Sequence, residues 1–69
     1  MAEAIVTMRH IRQARLCAGG ARAFFARYGL DWGRFLREGI PAAELEATGD
    51  ALAAVVVAAA REEAERGQQ

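Results

Sequence analysis

Glycine cuts this alanine-rich chain at Gly19–Gly20, Gly29, Gly39 and Gly49. Alanine is the best helix former and glycine, after proline, the poorest. The glycines therefore divide a chain that favours helix nearly everywhere into short helical segments. With seventeen alanines, four valines and a single proline, Pro41, strand is not expected.

The caps agree with this division. Thr7 is placed to cap a first helix over Met8 to Leu16, and Glu3 to Val6 ahead of it can pack as an arm. Gly19–Gly20 breaks that helix, and Ala21 to Tyr28 resumes with Phe24, Phe25 and Tyr28. Gly29 ends the second helix with Leu30 folding back as the hydrophobic contact of the cap. Asp31 caps a third helix, Trp32 to Glu38, which carries Trp32, Phe35 and Leu36 and stops at Gly39. Pro41 suits the first turn of a short fourth helix anchored by Leu45 behind Ile40, and Thr48 and Gly49 end it. Asp50 caps the last and longest helix, Ala51 to about Arg66, leaving Gly67 to Gln69 as a frayed tail. The fold class expected is all-α, one domain over residues 1–69 with an arm at 1–6, built as a compact bundle of four to five short helices.

Sixty-nine residues leave little core, and the staples of small domains are missing. Cys17 is alone, and one cysteine with one histidine, His10, cannot make a four-ligand zinc site. A reducing, cytoplasmic setting is the natural expectation. Ala51 to Ala60 is apolar for ten residues, about half of what crosses a bilayer, so no membrane partner is expected. Because that stretch is apolar on nearly all sides, the last helix is expected either at the centre of the bundle or partly covered by another chain.

The charge is split along the chain. Residues 1–37 hold seven arginines against two acids, and residues 38–69 hold seven acids against Arg61 and Arg66, so a net charge of zero hides halves of about +5 and −5. Arg22, Arg27, Arg34 and Arg37 lie on the two middle helices and can form one basic face. The opposing halves either neutralise each other within one monomer, through exposed pairs of little individual worth, or attract another molecule. Catalysis is not expected: no second histidine is present to orient His10 or Cys17, and the carboxylates at Glu44, Glu46, Glu62, Glu63 and Glu65 read as solvated helix surface. Cys17 reads as a small core residue and His10 as a surface residue. No cofactor and no small-molecule substrate are expected.

A helix-turn-helix over Ala21 to Ile40 is the most specific motif. Phe24 and Tyr28 would be its buried positions, Gly29 its turn, Leu30 its plug and Phe35 the anchor of its second helix. Phe25 and Glu38 fit the motif poorly, and Asp31 and Trp32 would face the groove where donors are needed. In that alternative Arg22, Arg34 and Arg37 would contact DNA. The aromatics otherwise read as core, with Trp32 half exposed as an interface anchor.

The run Cys17 to Ile40, with its Gly29-Leu30-Asp31-Trp32, and the later Thr48-Gly49-Asp50 resemble a group of small uncharacterised proteins encoded in tailed phages and bacterial prophages. That resemblance implies a phage or prophage context, a host bacterial cytoplasm or virion setting, and a task in particle assembly, packaging or host interference. It brings no catalytic or binding residues with it. The expected function is a non-enzymatic helical interaction module acting by protein contact or self-association, through Arg22, Arg27, Arg34, Arg37, Trp32, Val55 and Val56. A small DNA-binding regulator using residues 21–40 is the alternative.

Overall fold

The computed structural model describes residues 3–67. It contains five helices: α1 (Met8–Gln13), α2 (Ala18–Arg27), α3 (Trp32–Glu38), α4 (Ala42–Glu46) and α5 (Ala51–Gly67). Two short strands, β1 (Ile5–Val6) and β2 (Ile40–Pro41), complete it. The outer ends of the expected arm and tail, residues 1–2 and 68–69, lie outside the described residues.

The helical architecture agrees with the sequence, and α5 is the longest element. The strands correct the expectation that strand would be absent. β1 pairs antiparallel with β2, Ile5 opposite Pro41 and Val6 opposite Ile40, and the Ala42 amide donates to the Ala4 carbonyl at 2.9 Å. Val6 is thereby sealed completely from solvent. Gly39 makes the pairing possible. It sits at φ 79°, and a Cβ there would lie 2.8 Å from the Val6 carbonyl oxygen, so only glycine lets the arm cross this close.

Two helix boundaries also move. α1 ends at Gln13 rather than Leu16, because Arg15 turns left-handed at φ 61°. The Leu16 amide then donates to the Ile11 carbonyl at 3.1 Å and the Arg15 amide to Arg12 at 2.9 Å, the paired bonds of a Schellman stop. Gly19 and Gly20 consequently do not break a helix; they form the first turn of α2, where amides lack intrahelical acceptors and glycine costs least. Cys17 caps that turn by accepting from the Gly20 amide at 3.2 Å, and its thiol is exposed instead of buried in the core.

At Thr7 the backbone carbonyl, not the hydroxyl, accepts from the His10 amide at 3.0 Å, and Pro41 stands at the N-cap of α4, ahead of its first turn. The caps at Gly29, Asp31 and Asp50 form as read. Leu30 donates to Phe25 and Gly29 to Ala26 in a second Schellman stop, Asp31 accepts from the Arg34 amide at 2.9 Å, and Asp50 accepts from the Leu52 amide at 2.8 Å. The Tyr28 hydroxyl donates to the other Asp50 oxygen at 2.9 Å, tying the end of α2 to the start of α5. The core gathers Val6, Ile11, Phe25, Phe35, Leu45, Val56 and Val57, with alanines at 21, 42, 53 and 60 allowing close helix approach. The radius of gyration, 11.3 Å, matches the ~11 Å of a compact domain of this length.

Candidate interaction surface

α5 is neither wholly central nor wholly superficial. Ala53, Val56, Val57 and Ala60 recur at one face of the helical period and are buried. The flank beside them leaves Leu52 55% and Val55 60% exposed. Val56 is therefore corrected from a surface residue to a core residue, at 2% exposure. Leu52 takes its place next to Val55. Nothing in the apolar run Ala51 to Ala60 singled it out, because every residue of that run is apolar.

Arg22, Arg27, Arg34 and Arg37 are all exposed on α2 and α3, and Trp32 is half buried. The Trp32 ring meets Phe25 edge-on at 5.3 Å and Phe35 at 5.4 Å, so it closes the core and presents only one edge outward. Leu36, which would share the buried face of α3 by spacing, is 54% exposed between these arginines.

Ion pairing between the charged halves is sparse. Arg9 binds both Glu63 oxygens, and Arg61 meets Glu46 at 2.8 Å and Glu3 at 3.6 Å, with Arg66 near Glu62 within α5. Among the described residues, Arg12, Arg15, Arg22, Arg27, Arg34 and Arg37 have no carboxylate partner. Internal neutralisation thus accounts for Arg9 and leaves the four arginines of α2 and α3 without an ion pair. Arg27 lies over the Tyr28 ring, 5.4 Å from its centroid.

His10 is corrected from surface to interior. It is 3% exposed, its Nδ1 accepts from the Thr7 amide at 3.0 Å, and its Nε2 therefore carries the proton toward Glu63 Oε1 at 3.3 Å. The bond to Arg9, above all, holds the Glu63 carboxyl down at about 2. The Leu52 amide and then the Tyr28 hydroxyl likewise lower Asp50, whose carboxylate in turn raises the Tyr28 phenol. These groups pin α1 to α5 and α2 to α5. The sequence carried one faint signal of this, a histidine three residues after the Thr7 cap, where a side chain can reach back to the capping amide.

Within the proposed helix-turn-helix, the buried face of α2 is rotated from expectation. Ala21 and Phe25 are buried, while Phe24 and Tyr28 are half exposed. Phe25 fills the angle between α2 and α3 against Phe35 at 4.6 Å, and the Asp31 carboxylate accepts from the Arg34 amide.

Among the described residues no group of histidine, cysteine and acidic side chains is placed to hold a metal ion, and no helix is long and apolar enough to cross a membrane. Comparison of the chain with protein-family models, curated proteins and solved structures gives no match.

Proposed function

We propose that this protein is a non-enzymatic helical interaction module of phage or prophage origin that acts by protein–protein contact, a second copy of the chain being its first partner. The observation that carries the contact mode is the surface itself. Leu52 and Val55 stand out of α5 beside its buried face, and the arginines of α2 and α3 lack carboxylate partners while Glu38, Glu44 and Glu65 on the acidic half are also unpaired among the described residues. An apolar strip gives association its driving force, and charges of opposite sign on one molecule orient copies of it. The origin rests solely on the resemblance of Cys17 to Ile40 and of Thr48-Gly49-Asp50, and virion or host-directed roles follow from it.

Sedimentation velocity on Val55→Asp and Leu52→Asp tests the reading. Both changes place a charge on an exposed position and leave the fold intact, so association of the wild type that persists in both variants contradicts it. The DNA-binding alternative draws on the same free arginines, Arg22, Arg34 and Arg37. A mixed-sequence duplex that shifts at low salt and fails to shift with Arg34→Ala and Arg37→Ala together would favour it.

A further inference from the structure

A cleft of about 350 Å³ opens between the end of α1, the start of α2 and the first turns of α5. That volume lies at the lower end of the range of about 300–1,000 Å³ typical of small-ligand sites. Its walls are Ile11, Leu16, Phe24, Leu52 and Val56, with Gly20 also in the lining. Among the described residues the only charged group in its lining is Arg15.

From this geometry we infer a binding site for a medium-chain amphiphilic carboxylate, its alkyl tail in the cleft and its head on Arg15. The inference goes beyond the protein-contact reading and competes with it for Leu52, which lines the cleft. Three observations converge on it. The lining is apolar apart from the lip, which suits a hydrocarbon tail and offers a polar head no buried partner. Arg15 has no carboxylate of its own among the described residues, and a guanidinium binds a planar carboxylate through two parallel hydrogen bonds. Arg15 also holds the left-handed conformation at φ 61°, which glycine would adopt without strain. A cationic side chain is thus kept, at some cost in backbone strain, at the mouth of an uncharged apolar cleft, and strained residues of this kind gather at ligand clamps. A cationic amphiphile would meet like charge there, and a neutral one would gain only from its tail.

The test is an NMR titration of the uniformly ¹⁵N-labelled protein with hexanoate, octanoate, decanoate, octanol and decyltrimethylammonium. The expected result is saturable shifts at Ile11, Leu16, Leu52 and Val56, tightening roughly fourfold per added methylene. Arg15→Gly should weaken decanoate by about tenfold and leave octanol unchanged, since only the charged head loses its partner. As this substitution relieves strain, loss of fold does not confound it. Cys17, which shares the lining, gives a second readout: its thiol should react several-fold more slowly with a disulfide reagent when decanoate is bound. Absence of saturation by decanoate through the millimolar range would overturn the inference. So would equal affinity for decyltrimethylammonium, or cleft shifts that track protein concentration without ligand, which would assign the cleft to a second copy.

Discussion

Arg15, His10 and Cys17 show how far single residues depend on surroundings that sequence does not display. An arginine at a helix stop gives no sign of φ 61°, because glycine or asparagine is the usual occupant. Arg15→Gly should raise stability by about 1 kcal/mol, seen in thermal unfolding as a midpoint higher by roughly 4–8 °C. An unchanged or lower midpoint would mean that the side chain contributes more than the strain removes. His10 and Cys17 exchange the places their chemistry suggested, since burial follows the face turned to α5 for one and the new start of α2 for the other. The Arg9–Glu63 contact has a measurable consequence. Glu63 titrates near 4.5 when unfolded and about 2 when folded, so its contribution to stability is complete above about pH 4.5 and is lost as pH falls toward 2. Glu63→Gln should therefore be less stable at neutral pH and show a shallower loss of stability over that window. Acid limbs of equal slope for the two proteins would contradict the pairing.

At the scale of elements, the caps were legible and the pairings were not. Gly29 with Leu30, Asp31 and Asp50 each make their capping bonds within five residues, so the local pattern contains all the physics that places them. The strand pair joins Val6 to Ile40 across more than thirty residues, and two-residue strands leave no periodicity to read. Gly19–Gly20 misleads for a related reason: glycine breaks a helix in its interior but is tolerated in a first turn, and the true stop lay upstream at Arg15. Gly39→Ala tests the crossing of arm and α3 directly. The substitution meets a backbone region nearly closed to side chains and a carbonyl oxygen at 2.8 Å. It should cost at least about 2 kcal/mol in denaturant unfolding, with faster amide exchange at Val6 and Ala42. A loss below 0.5 kcal/mol, on the order of an ordinary surface change, would show that the arm does not depend on that approach.

At the scale of the molecule, the split charge was visible from composition, but its use was not. Whether Arg22 or Arg34 finds a carboxylate depends on how α4 and α5 wrap, and the fold turns Glu63, Glu46 and Glu3 toward Arg9 and Arg61 instead. The apolar last helix was legible as a packing element, but not which of its sides is buried, since Val55 and Val56 are chemically identical neighbours about 100° apart around the helix, one exposed and one buried. The basic face, the unpaired acids and the strip at Leu52 and Val55 together make association the central claim. The decisive measurement is light scattering behind size exclusion, at two protein concentrations and at low and high salt. The account predicts an assembly that grows with concentration at low salt and dissociates as salt screens its charges over about 8 Å. A monomer mass at every concentration and both ionic strengths would contradict it.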